Sequence, residues 1–213
     1  MTSPAAASAD HLLALDVPSI DGTWYRGMTG FAQRTPWLQP LMTAYTTVGV
    51  LMLCALLVLA WWNARRRGDL AAVTAVAWAG VGTLVCVAAA TALKQVFAES
   101  RPCLAIAHVT TVQPCPGPSD YAFPSNHTAL AAALAAGIWL ASRRLGLMAA
   151  VLALLEGFSR VYLGQHYPHD VLAALALAAL ISFGGWPLTR RPLAHLIHWF
   201  VRTPLRLLLT STR

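Results

Sequence analysis

The chain has 213 residues, 57% of them hydrophobic and only 11% charged, with a mean hydropathy of +0.58. A soluble domain carries about 25% charged residues, so an ordinary soluble globule is excluded and a one-domain polytopic membrane protein is expected. The net charge of +7 comes from fourteen arginines and one lysine in short clusters between apolar runs, the pattern of orientation-setting loops rather than of a nucleic-acid surface.

In chain order, residues 1–10 are small and polar and are expected to be disordered. They carry no basic n-region leading into an apolar run and a cleavage site, so no signal peptide is expected. Residues 11–35 mix Leu12, Leu13, Leu15, Ile20, Trp24, Tyr25, Met28 and Phe31 with charges. That stretch is too broken to span. It suits an amphipathic helix in the membrane interface, with Trp24 and Tyr25 at headgroup level; a loosely ordered tail is the alternative.

Trp37 to Trp62 holds no charge, and about 20 apolar residues cross the hydrocarbon, so this is the first span. A basic loop, Asn63 to Asp69, leads to a second span from Leu70 to Leu93, ending at Lys94. Residues 98–124 contain five prolines and read as a loop. Ser125 to Ser142 forms a third span of about 27 Å, just sufficient. Leu145 to Leu163 forms the fourth, interrupted by Glu156, and Asp170 to Leu188 the fifth. The tail 192–213 reads as a second interfacial helix carrying Arg202 and Arg206.

The expected fold is therefore all-α: a bundle of about five transmembrane helices with interfacial N- and C-terminal helices. The expected divisions are 1–36, an interfacial N-terminal segment; 37–191, the membrane domain; and 192–213, an amphipathic tail. Arg65 to Arg67, Arg143–Arg144 and Arg190–Arg191 all fall on one side, which the positive-inside rule makes cytoplasmic. The N-terminus, the 98–124 loop and the 164–169 turn are then outside, and the C-terminal tail is cytoplasmic.

Cys54 and Cys86 lie within spans and read as inert packing residues. Cys103 and Cys115 share the outer loop, in an oxidising compartment, where a disulfide would contribute about 3 kcal/mol in the chain-entropy picture. Two free thiols are the alternative. No Cys-x-x-Cys pair suggests zinc.

The residues that carry chemistry cluster at the outer ends of the spans. Residues 159–170 pack Arg160, His166, His169 and Asp170 between apolar segments, a costly placement that usually marks function. Pro168 starts a helix, with His166 just before it and Asp170 in its first turn. Asp170 can thus reach back to one imidazole nitrogen of His166 and leave the other free to attack. Arg160 offers a fork-shaped cation suited to phosphate. Lys94 and Arg101 lie seven residues apart, on one face if the helix continues, and read as half of an anion clamp; Pro102 marks the exit from that helix. Ser125 is a natural N-cap whose helix N-terminus forms an anion site, and His127 in the first turn reads as a proton donor.

Glu156 precedes Arg160 by one helical turn and is expected to pair with it and aim it. His169 is expected to be an exposed turn residue, His195 and His198 structural, and His108 has no assigned role. The sum is three cations, a helix N-terminus and two histidines, which suits a transferring phosphoryl group: one histidine attacks phosphorus and the other protonates the leaving oxygen. No metal or cofactor is called for, and no acidic cluster is available to hold Mg²⁺.

Lys94-x6-Arg101-Pro102, Pro124-Ser125-x-His127 and Ser159-Arg160-x5-His166-x3-Asp170 resemble the three signature motifs of the type-2 phosphatidic acid phosphatase superfamily. The resemblance implies that His166 is a nucleophile forming a phosphohistidine, Asp170 its orienter and His127 the general acid. It also implies that Lys94, Arg101, Ser125, Arg160 and the backbone at Asn126 hold the phosphate. Asn126 replaces the family's usual glycine; its N–H survives, and its side chain is in reach of a second phosphate. Bacitracin-resistance-type undecaprenyl-diphosphate phosphatases resemble the chain in size, layout and the wording Gly157-Phe158-Ser159-Arg160 and Gly164-x-His166-Tyr167-Pro168-x-Asp170.

The expected activity is hydrolysis of the terminal phosphate of a polyprenyl diphosphate at the outer membrane face, without metal. The alternatives are a phosphatase of phosphatidylglycerol phosphate, phosphatidic acid or a decaprenyl-linked sugar phosphate, and a non-enzymatic lipid-phosphate binder or transporter. The bilayer and a lipid phosphate are the expected partners, with no nucleic acid; the oligomeric state cannot be read.

Overall fold

A computed structural model describes residues 19–204 and 206–210. The expectations for residues 1–10, for a signal peptide and for Leu12, Leu13 and Leu15 lie outside the described residues. The described residues are mainly helical, and no strand is found among them. Helix α1 is Ser19–Arg34, α2 Gln39–Arg67, α3 Leu70–Phe97, α4 Pro102–Ala105, α5 Asn126–Ala141, α6 Arg143–Tyr162, α7 Pro168–Ala179, α8 Gly185–Val201 and α9 Arg206–Leu209.

Local chemistry sets the turns. Gly68 takes the left-handed conformation (φ 64°) that closes α2, and Asp69 then caps α3 by accepting from the Ala72 N–H at 3.0 Å. Glycine suits Gly68 because a side chain there would be strained. Pro40 and Pro168 sit in the first turns of α2 and α7, where the missing N–H is not needed.

Four helical runs are long and apolar enough to cross a membrane: Gln39–Arg67, Leu70–Ala105, Arg143–Tyr162 and Pro168–Val201. The third expected span, Ser125 to Ser142, is α5, which has 16 residues between those two caps and is about 24 Å long. It is the central helix, its alanines buried against α3 on one side and α6 on the other. A helix enclosed by others need not present a full apolar length to lipid. Small residues permit the packing: a Cβ on Gly137 would lie 2.5 Å from the Ala79 backbone, so α3 and α5 touch main chain to main chain. One core cluster joins Leu53, Ala131, Leu134, Ile138 and Ala153, and another joins Cys86, Ala90, Ala129, Ala133, Ala174 and Ala178.

Several expectations change. The fifth span does not end near residue 188: α7 passes through a π-helical turn, Leu180–Gly184, into α8, which continues through Pro192 to Val201. The expected boundary at 191/192 is therefore inside a helix, because one proline removes a single donor and the helix runs on past it. Cys86 is buried as expected, but Cys54 is exposed on the outer surface of α2. Helix α1 exists and exposes Trp24, yet Tyr25 is fully buried, donating from its hydroxyl to the Gly164 carbonyl at 3.0 Å. Helix α1 is thus bolted to the bundle by the tyrosine expected at headgroup level. Cys103 and Cys115 are joined, with Cα atoms 5.9 Å apart.

Candidate active site

The chain brings Lys94, the 99–125 loop, the start of α5, the end of α6 and the start of α7 to one end of the bundle. His166 is buried between α6 and α7. Its Nδ1 lies 3.1 Å from Asp170 Oδ2, and its Nε2 lies 3.4 Å from Arg101 Nη1. An ionised carboxylate only accepts and a guanidinium only donates. Both neighbours therefore demand one tautomer: the proton on Nδ1, the lone pair on Nε2. Burial, and after it the charges of Arg101, Arg160, Lys94 and His127, hold the His166 pKa well below the ordinary histidine value. Asp170 is fully buried at the α7 N-terminus, and its Oδ2 also accepts from the Tyr167 N–H at 2.9 Å.

The three expected cations converge, but not by the expected route. Helix α3 stops at Phe97, Ala98 turns left-handed (φ 45°), and Arg101 is extended. Lys94 and Arg101 do not share one helical face; the chain reverses to bring Arg101 back. Lys94 Nζ donates to the carbonyls of Tyr121 and Ala122. Arg101 donates from Nε to the Asp120 carbonyl at 2.8 Å, from Nη1 to the Gln165 carbonyl at 2.8 Å, and pairs with Asp120 Oδ1 at 2.9 Å. Arg160 is as buried as these two and has no hydrogen bond or ion pair among the described residues, and its Nε is fully enclosed.

Ser125 caps α5, accepting from Thr128 N at 3.4 Å, and its own N–H donates to the Asp170 carbonyl at 3.3 Å. That bond ties the α5 N-terminus to the α7 turn carrying Asp170. His127 is exposed in the first turn of α5, near Arg160, Arg101 and Lys94. Asn126 donates from Nδ2 to Thr91 Oγ1 at 3.4 Å, while its Oδ1 is enclosed without a partner.

Two readings of side chains are corrected. Glu156 does lie near Arg160, but no ion pair joins them; both carboxylate oxygens are buried and unbonded. One helical turn sets the two on a common face without bringing their charged ends together. Glu156→Leu is therefore expected to leave the melting temperature in detergent unchanged or higher, because a buried unsatisfied carboxylate opposes folding. A fall of several degrees would show that the carboxylate has a partner. His169 is not an exposed turn residue: Nδ1 lies 2.7 Å from Asp21 Oδ2 and Nε2 3.1 Å from Glu99 Oε2.

Sequence reasoning also missed Asp120, Glu99, Asp21, Thr91 and Gln165. Asp120 carried a faint signal as the only acid of the 102–124 stretch. His195 and His198 each face a backbone carbonyl of their own helix, in keeping with a structural role. Beside the site, an apolar groove of about 480 Å³ runs between α1 and the α6–α7 pair, lined by Trp24, Met28, Phe31, Phe158, Val161 and Leu172.

Comparison with known proteins identifies the family and the fold. The PAP2 superfamily profile matches residues 75–193. A Bacillus subtilis protein named undecaprenyl-diphosphatase BcrC is 30% identical over 164 residues, covering 75% of this chain and 79% of the relative. A Sulfolobus acidocaldarius protein named undecaprenyl-diphosphatase is 34% identical over 91 residues, 42% of this chain and 43% of that protein. Among solved structures, a PAP2-type phosphatidylglycerolphosphate phosphatase from Bacillus subtilis superposes with a TM-score of 0.56 at 24% identity, covering 84% of this chain and 92% of that one. With a profile match over more than half of its length and a helical membrane bundle to carry it, the chain belongs to the PAP2 superfamily as a multi-pass membrane protein.

Proposed function

We propose that the protein is an integral membrane lipid phosphatase that removes the terminal phosphate of undecaprenyl diphosphate. One observation carries the chemistry: the His166 ring is fixed with Nδ1 3.1 Å from Asp170 and Nε2 3.4 Å from Arg101, an arrangement that puts the lone pair on Nε2. A site that only bound anions would need the cations but not an oriented nucleophile. The substrate reading rests on the Bacillus subtilis relative's name and on the apolar groove beside the phosphate site.

In the reaction, Nε2 of His166 attacks the terminal phosphorus and forms a P–N bond. The bond from phosphorus to the bridging oxygen breaks, and His127 gives that oxygen its proton. Lys94, Arg101, Arg160, the Ser125 hydroxyl and the N–H at Asn126 hold the equatorial oxygens as charge spreads over them. His127 then takes a proton from water, whose oxygen attacks phosphorus and breaks the P–N bond. Inorganic phosphate leaves, and His166 is restored. Three side-chain cations supply the charge stabilisation, so the reaction runs without metal. The basic clusters Arg65 to Arg67, Arg143–Arg144 and Arg190–Arg191 lie away from this end, so the site faces the extracytoplasmic side.

The test is phosphate release by purified protein in detergent with EDTA, from undecaprenyl diphosphate and from phosphatidylglycerol phosphate in competition. Preferred turnover of the diphosphate is expected. Turnover of the glycerophospholipid alone would keep the chemistry and overturn the substrate; lipid binding without turnover would support a binder instead.

A further inference from the structure

The His166–Asp170 pair does not stand alone. The two oxygens of Asp170 face different imidazoles: Oδ2 faces His166 Nδ1 at 3.1 Å, and Oδ1 lies 3.3 Å from His169 Nε2. That outer oxygen is enclosed and has no hydrogen bond of its own. His169 in turn has a carboxylate at each ring nitrogen, Asp21 at 2.7 Å and Glu99 at 3.1 Å. Since both carboxylates only accept, both nitrogens must donate, and the ring is an imidazolium. Aromatic rings flank it: Tyr167 stacks on it at 5.3 Å and 17°, and Phe123 lies at 5.5 Å. A cation between aromatic faces is a favourable arrangement.

We propose that His169 is a positioning residue of the reaction: its charged imidazole braces the outer oxygen of Asp170, and Asp21 of α1 braces the imidazole. The relay then runs Asp21, His169, Asp170, His166, phosphorus. It rests on the reading of His166 as nucleophile.

The physical reason is the burial of Asp170. A fully enclosed carboxylate without compensating charge is costly to keep ionised. Were Asp170 to carry a proton, it could donate to His166 Nδ1, and the imidazole would move its own proton to Nε2, the atom that must attack. His169 opposes that exchange from the outer side. The charged or titratable groups around the pair are Lys94 from α3, Glu99 from the loop after α3, Asp21 from α1, Tyr167, and the two histidines. Lys94 is committed to the Tyr121 and Ala122 carbonyls, which leaves His169, among the described residues, as the cation in direct contact with the outer oxygen of Asp170. Helix α1 is thereby a part of the site and not only an anchor: Tyr25 fixes its position and Asp21 delivers its charge.

The test compares His169→Gln, Asp21→Asn, Asp170→Asn and the double variant His169→Gln/Asp170→Asn, each full-length in detergent with undecaprenyl diphosphate. His169→Gln is expected to lower kcat by about 10–100-fold with KM changed less than about threefold, because orientation is lost while the phosphate grip is untouched. Asp21→Asn shows the same split with a smaller loss, and carries the test should His169→Gln fail to fold. The double variant is no slower than Asp170→Asn, since His169 acts through Asp170. Unchanged kcat in both single variants, a rise in KM in place of the kcat loss, or losses that multiply in the double variant would overturn the inference. Normal turnover by Asp170→Asn would instead overturn the His166–Asp170 reading itself, and the relay with it.

Discussion

His166→Gln is expected to abolish phosphate release, by about 10⁴-fold or more, while lipid binding survives. The residue supplies the atom that forms the covalent bond, and no other side chain can substitute for it. Brief exposure of the wild-type protein to substrate labelled at the terminal phosphate is expected to trap label on His166, in a linkage stable to base and labile to acid. The variant traps none. The sign of the pH dependence follows from the same geometry. Burial and the surrounding cations hold the His166 pKa well below the usual value, so the proton leaves Nε2 more readily than in solution. The lone pair therefore persists as pH falls through 6.5, the usual histidine value, and kcat/KM should show no loss centred there from His166. Turnover by His166→Gln near the wild-type rate would end the phosphohistidine mechanism, whatever the substrate proved to be.

The residues proposed to bind and attack phosphate were legible because their chemistry is carried by residue type and local spacing. Ser125 as an N-cap, Pro168 at the start of α7, and the four-residue step from His166 to Asp170 are short-range facts, and each appears in the structure. What was hidden depends on where distant segments return. Arg101 reaches the site because Ala98 reverses the chain, and its partner Asp120 arrives from across a disulfide-closed loop. Glu99 and Asp21 meet on His169 from segments far apart in sequence, so no local pattern could show them. Tyr25 was misread for a related reason. An aromatic on an amphipathic helix suits either the headgroup layer or the protein interior, and only the carbonyl of Gly164 decides which. The ends of α5 were legible at Ser125 and Ser142, which cap it, whereas the boundary expected at 191/192 falls inside α8, which runs on through Pro192. Glu156 shows the converse error, in which a correct shared face was mistaken for a bond.

The contrast between Arg160 and Arg101 gives the second large effect. Arg101 is engaged at Nε, Nη1 and Nη2 by Asp120 and Gln165, so part of its role is to hold the loop and the 163–167 turn together. Arg160 has no such hydrogen-bonded partner among the described residues, and its Nε is enclosed without a bond. A phosphate oxyanion entering beside it breaks no protein bond and relieves the cost of an unpaired buried cation. Its stabilisation of the transferring phosphoryl group should accordingly be large. Arg160→Ala is expected to lower kcat/KM by about 10³-fold, and Arg160→Lys by nearly as much, because an ammonium cannot replace the two-pronged fork. Stability should move the other way. Removing an unpaired buried charge is expected to leave the melting temperature of the Arg160→Ala protein unchanged or raised, whereas Arg101→Ala should lower it by several degrees along with activity. Inorganic phosphate should then protect the wild type against heat and fail to protect Arg160→Ala, as expected if the ion is bound through the free fork. Activity and melting temperature measured on the same preparations of both variants decide the matter: equal destabilisation by the two would mean that Arg160 is a structural cation like its neighbour, and the assignment of the phosphate fork would have to move to Arg101.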